Sequence, residues 1–118
     1  MHYFRLKPST IAGAGIGVFT TSHIPRGTVL HGLFGEDDVQ RFSWDEFAAS
    51  KLPDEIKQNF ATRYETECFL PRDVNRMSVG WYLNDSPEPN LAHDADYNYF
   101  ALRDIAAGEE LFIRYDDL

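Results

Sequence analysis

Glycine and proline punctuate this chain and mark the breaks between its elements. Eight glycines and six prolines permit tight turns and remove ladder donors, which leaves room for short strands and short helices. Tyr3-Phe4-Arg5-Leu6 suits a short strand, Ala12-Gly13-Ala14-Gly15-Ile16-Gly17 a flexible turn, and Val18-Phe19-Thr20-Thr21 a return to extended chain. Pro25-Arg26-Gly27 turns into Thr28-Val29-Leu30. Ser43-Trp44-Asp45-Glu46 has the spacing of a capping box and predicts a helix that Pro53 ends. A second helix is predicted from Asp54, with Ile56 and Phe60 on one face, followed by a strand over residues 64–70 and a short apolar segment from Met77 to Leu83. Beyond the turn-rich stretch Asn84 to Asn90, Asp96 to Leu102 reads as a strand with Tyr97, Tyr99 and Ala101 on one face. The turn at Gly108 then leads into Leu111-Phe112-Ile113-Arg114-Tyr115. The class expected is mostly β with minor α, in a single domain over residues 1–118.

A chain of 118 residues with 43% hydrophobic and 14% aromatic content can build one core, which excludes disorder as its default state. No stretch approaches the ~18 uncharged apolar residues of a membrane span, and Met1-His2-Tyr3-Phe4-Arg5 lacks the apolar run of a signal peptide. A soluble, intracellular protein without a membrane partner is expected. Cys68 is the single cysteine, expected to pack as a small hydrophobe. The net charge of −8 argues against direct binding to the nucleic acid backbone. Its distribution is uneven: residues 1–30 carry Arg5, Lys7 and Arg26 and no acid, whereas residues 85–118 carry nine acids against Arg103 and Arg114. An acidic C-terminal third favours a basic partner such as a lysine-bearing peptide, or it is simply a solvated surface.

The glycine loop admits two readings on its own. Alternate glycines let backbone N–H groups approach an anion or nucleotide, and they equally suit a hairpin turn. A dinucleotide fold is excluded, because the third glycine comes one residue early and a strand follows instead of a helix. The Gly-Lys-Ser/Thr ending of a phosphate loop is absent.

Four separated pieces in order add a resemblance. They are Gly15-Ile16-Gly17-Val18-Phe19, Pro25-Arg26-Gly27-Thr28-Val29-Leu30, Asn84-Asp85-Ser86-Pro87-Glu88-Pro89-Asn90, and Gly108-Glu109-Glu110-Leu111 with Tyr115 after it. Together the chain resembles the SET-domain family of S-adenosylmethionine-dependent protein lysine methyltransferases, in a minimal form without flanking cysteine-rich segments. The resemblance implies a β-clip-like SET fold, with several small sheets around a pseudo-knot where the C-terminal segment passes through the loop beside Asn84. It implies S-adenosylmethionine as cofactor, with Ala14, Gly15, Ile16 and Gly17 lining its methionine end, Asn84 contacting it through the side-chain amide, Asp85 through its backbone, and Tyr115 both as a cofactor contact and as the active-site tyrosine.

Three positions depart from the family pattern. Asp85 replaces a histidine, Leu33 in Gly32-Leu33-Phe34-Gly35-Glu36 replaces a channel tyrosine, and His93 stands where some members have another channel aromatic. The substrate channel is therefore expected among Leu33, Phe34, His93, Tyr97 and Tyr99. The implied reaction is an in-line methyl transfer to a lysine amine, which needs alignment and a deprotonated nucleophile and no metal. The competing reading is a catalytically impaired SET-like protein-binding module. Only Asp116-Asp117-Leu118 follows Tyr115, so a second subunit, the substrate or another part of the chain would close the site, and a homodimer is one such arrangement.

Overall fold

The computed structural model describes residues 2–35 and 38–118. Among these, nine strands form three small sheets, with two short helices in the middle of the chain. No helix among the described residues is long and apolar enough to cross a membrane.

The first sheet is built from both ends of the chain. β1 (Phe4–Pro8) and β2 (Ile16–Thr20) pair antiparallel, with Leu6 opposite Val18. Their connection is tied by the Ser9 N–H donating to the Gly15 carbonyl at 2.8 Å. Gly13 and Gly15 take φ of 79° and 77° there, a region that strains any side chain. β9 (Glu110–Ile113) lies between β2 and the two-residue β6 (Asn84–Asp85), antiparallel to the first and parallel to the second. Asn90, 1% exposed, extends the grip on this last strand: its Nδ2 donates to the Glu110 carbonyl and its Oδ1 accepts from the Phe112 N–H, each at 2.8 Å. A side-chain amide thus serves as a ladder partner for buried backbone. The segment from Asn84 to Asn90 thus holds β9 at both of its ends, through the β6 pairing and through the Asn90 side chain.

The second sheet has the order β3 (Val39–Ser43), β5 (Glu67–Pro71), β4 (Thr62–Arg63), all antiparallel. Phe42, Cys68 and Leu70 on one face pack with α1 (Trp44–Ala49) and α2 (Asp54–Phe60) around Phe47. The two-residue period turns Val39, Arg41, Phe69 and Thr62 to the other face. The capping box is present, with the Glu46 N–H donating to Ser43 Oγ at 3.2 Å and the Ser43 N–H to Glu46 Oε1 at 3.0 Å. α1 ends at Ala49, ahead of Pro53, because Ser50 is already extended and its hydroxyl accepts from the Leu52 N–H at 3.1 Å. Pro53 instead precedes α2. Cys68 is fully buried, and that burial pushes its thiol up.

The third sheet is the hairpin β7 (Leu91–His93) and β8 (Tyr99–Ala101). The strand expected from Asp96 starts later, because the Asp94 carboxylate accepts from the Asp96 and Asn98 N–H groups, both at 2.9 Å, and folds residues 94–98 into a turn. Tyr97 sits in that turn at φ 59°, so it does not share the strand face of Tyr99 and Ala101. One further expectation is adjusted, and two segments left unassigned gain a structure. Thr28-Val29-Leu30 joins this hairpin by an isolated bridge from Val29 to Phe100, the strand expected over 64–70 begins at Glu67, and Val79–Tyr82 within the apolar segment is a 3-10 turn. The main core joins the first sheet to the hairpin through Val18, Leu33, Leu83, Leu91, Ile105 and Leu111.

Candidate functional site

The glycine loop, β6 and β9 meet at Glu110. This carboxylate is 5% exposed and accepts from Ser9 Oγ at 2.8 Å, Thr10 N–H at 2.7 Å, Thr10 Oγ1 at 2.7 Å and Asn84 Nδ2 at 3.2 Å. Burial works to raise its carboxyl, but the bonds from Thr10, Asn84 and Ser9 outweigh it and hold the group below the usual carboxylate range. Asn84 Nδ2 also donates to the Ile16 carbonyl at 3.0 Å. Both amide hydrogens of Asn84 are therefore spent inside the protein, and its carboxamide oxygen, without a partner among the described residues, is what it offers to a ligand.

Gly17 is required by the same cluster. A Cβ there would stand 2.2 Å from Glu110 Oε2 and 3.2 Å from Asn84 Nδ2. Gly13 and Gly15 are the opposite case, with nothing within 4 Å of where a Cβ would be, so their backbone borders open space. Ala14 is half-buried and its N–H donates to the Ile11 carbonyl at 3.2 Å, whereas Ile16 is 47% exposed.

A cleft of about 1160 Å³ opens between the free face of the β3–β5–β4 sheet and an aromatic wall formed by Phe34, Trp81, Tyr97, Tyr99 and Tyr115. Phe34 packs against Trp81 edge-on at 5.8 Å and against Tyr99 at 5.7 Å. Gly80 makes room for it, since a Cβ there would meet the Phe34 ring at 2.5 Å. The Tyr64 and Tyr97 hydroxyls are 3.0 Å apart. Tyr115 begins a 3-10 turn after β9. Its hydroxyl donates to the Leu83 carbonyl at 2.6 Å, and its N–H donates to Asp85 Oδ1 at 2.7 Å. Burial pushes the Tyr99 phenol up to about 12 and also raises Tyr64, and burial followed by the nearby Asp85 charge raises Tyr115. These phenols all keep their protons at neutral pH. The buried Trp81 Nε1 has no hydrogen-bond partner among the described residues. Arg41, stacked 5.0 Å over Phe69, lines the sheet side with Arg63, Arg72, Asp38 and Glu67.

The structure thus gathers Phe34, Tyr97, Tyr99 and Tyr115 at one cleft and places Asn84, Asp85 and the glycine loop beside it. Two expected channel residues lie elsewhere. Leu33 is 2% exposed in the main core, whereas Phe34, next to it in the same bend, lines the cleft. His93 lines a separate small hollow with Leu91, Ala92, Ile113, Arg114 and Asp117. Asp85 uses its side chain to hold Tyr115. Glu36, the end of the Gly32 to Glu36 motif, lies outside the described residues. Sequence reasoning missed Ser9, Thr10, Glu110, Tyr64 and Trp81 as site residues. Glu110 stood within a quoted motif, but no local pattern ties it to Ser9 and Thr10 at the other end of the chain.

A sequence model of the SET domain matches residues 15–116. Among solved structures, a humanized mutant of the Chaetomium thermophilum Polycomb Repressive Complex 2 bound to the inhibitor GSK126 is similar at a TM-score of 0.69 and 22% identity, over 98% of this chain and 15% of that one. A candidate histone methyltransferase of Plasmodium falciparum is similar at a TM-score of 0.58 and 16% identity, over 98% of this chain and 94% of that one. At these identities the likeness is one of fold. No curated protein sequence matches the chain significantly.

Proposed function

Since the chain belongs to the SET-domain family, we propose that it transfers a methyl group from S-adenosylmethionine to a lysine side chain of a protein. The observation that carries this reading is the position of Tyr115. Its hydroxyl is fixed on the Leu83 carbonyl at 2.6 Å, at the junction between the aromatic cleft and Asn84, the residue after Leu83.

The residues present fit the cofactor. Backbone at Gly13 and Gly15 borders open space, the Asn84 carboxamide oxygen can accept from an ammonium or amino group, and Trp81 Nε1 is an unspent buried donor. Residues 14–17, Asn84 and the Asp85 backbone would hold it. When bound, S-adenosylmethionine supplies an electrophilic methyl group on a sulfonium.

The protein's own contribution is to prepare and aim the nucleophile. A free lysine has a pKa near 10.4, and an aromatic wall of Phe34, Trp81 and Tyr99 strips water from its stem and disfavours the ammonium form. Tyr115 spends its O–H on Leu83, so its phenol oxygen presents lone pairs to an amine N–H and orients the nitrogen. Exposed Asp94, Asp96, Asp116 and Asp117 lie on the hairpin turn and the C-terminal turn, near Tyr97 and Tyr115, and suit a basic segment around the target lysine.

The test is methyl transfer from labelled cofactor to a set of lysine-bearing peptides by the chain and by Tyr115→Phe. The expected result is transfer that falls at least about tenfold in the variant, roughly 1.4 kcal/mol of transition-state stabilisation. Cofactor binding with no transfer to any lysine peptide would overturn it in favour of a binding module.

A further inference from the structure

The His93 ring is held between two backbone carbonyls. Its Nδ1 lies 2.8 Å from the Asp94 oxygen and its Nε2 lies 2.9 Å from the Asp117 oxygen. A carbonyl oxygen only accepts, so each contact needs an N–H on the ring; a neutral imidazole carries one and an imidazolium carries two. The two carbonyls belong to different parts of the fold. Asp94 opens the turn of the β7–β8 hairpin, and Asp117 closes the 3-10 turn that Tyr115 begins. One face of the ring is stacked on Tyr97 at 4.6 Å and 18°, and Tyr99 lies 5.5 Å away. The ring therefore touches both tyrosines that the hairpin contributes to the cleft and the turn that carries the third.

The titratable and charged groups around the ring are Asp94, Tyr97 and Tyr99 from the hairpin and Arg114 and Asp117 from the C-terminal segment. Hydrogen bonds from the Asn98 backbone and side chain hold the Asp94 carboxyl below its usual range, which keeps a negative charge beside the ring.

We propose that His93 is a positioning residue acting through Tyr115: its doubly protonated ring fastens the C-terminal turn to the tyrosine hairpin, and loss of one proton releases one end. The consequence for turnover rests on the methyl-transfer reading; the fastening itself does not. An imidazole ring carries two N–H donors only in its charged form, so the fastening weakens as pH rises.

The test reads the ligand-free chain. Nitrogen NMR of a histidine-labelled sample is followed from acid to alkaline pH, together with hydrogen exchange at the Asp117 and Leu118 amides, which donate to the Arg114 and Tyr115 carbonyls within the turn. Exchange is corrected for its intrinsic pH dependence. The expected result is that both His93 nitrogens carry hydrogen while the turn is protected, and that protection falls about tenfold as one hydrogen is lost. In His93→Phe, which keeps a ring against Tyr97, protection is low and independent of pH. With an active peptide, the rate ratio of unmutated chain to His93→Phe falls as pH rises. A His93 ring with one attached hydrogen while the turn is protected overturns the proposal. So does unchanged protection in a folded His93→Phe chain. Should no lysine peptide be methylated, the NMR and exchange results still decide the fastening on their own.

Discussion

Glu110 lies against the backbone of Gly17 so closely that a Cβ at position 17 would stand 2.2 Å from a carboxylate oxygen. The glycine loop is therefore shaped by a residue near the other end of the sequence, and two pieces of a dispersed motif form one structural unit. The carboxylate gathers donors from Ser9, Thr10 and Asn84, so it fixes the start of the loop and the amide beside it together.

Gly17→Ala follows directly from that contact. The alanine methyl forces Glu110 off its donors, and overpacking of this kind costs about 1–3 kcal/mol. Denaturant unfolding should show the loss. Because the two side chains compete for one space, Glu110→Asp, with its shorter reach, should recover part of the loss when combined with Gly17→Ala. Purely additive penalties in the double variant would contradict the contact.

The charge of Glu110 predicts a pH dependence. Its native carboxyl titrates below the unfolded value of about 4.3, so its stabilisation is complete above that value and disappears as pH falls through the native one. Glu110→Gln should cost about 1.5–3 kcal/mol at neutral pH, the range for hydrogen bonds to a charged group. The difference from the unmutated chain should shrink on acidification below pH ~4. Stability curves of the two proteins from pH 7 to pH 3 check the sign.

Leu33 supports the core, and restoring a tyrosine there should not restore a channel hydroxyl. Leu33→Tyr places a phenol among Val18, Leu83 and Leu111 and should destabilise by about 1–3 kcal/mol from overpacking. Leu33→Ala should cost about 2–5 kcal/mol from the cavity left behind. A Leu33→Tyr chain as stable as the original, with faster methyl transfer, would place residue 33 at the cleft instead.

What could be read from the sequence was local or carried by motif order. Ser43 and Glu46 cap α1 as their spacing requires, Ile56 and Phe60 lie half-buried on α2, and the ordered pieces around Gly15, Asn84 and Tyr115 assemble at one place. What could not be read depends on contacts across the chain or on side chains replacing regular structure. The Asp94 carboxylate captures two backbone N–H groups and shortens a strand that alternation alone would extend to Asp96. Leu33 and Phe34 are adjacent apolar residues, and only the packed core decides which faces the cleft. Asn90 appears as one more turn residue in a proline-rich loop, yet its side chain pairs with the backbone of β9. The open sheet face bearing Arg41 and Phe69 emerges only once α1 and α2 cover the other side.

Calorimetric titration of the chain with S-adenosylmethionine and S-adenosylhomocysteine, repeated on Asn84→Ala with its folding verified, shows whether Asn84 and the glycine loop hold the cofactor. Saturable one-site binding is expected, weakened by the substitution about tenfold or more, which is about 1.4 kcal/mol. No detectable heat near millimolar ligand from the folded, unmutated chain would contradict it.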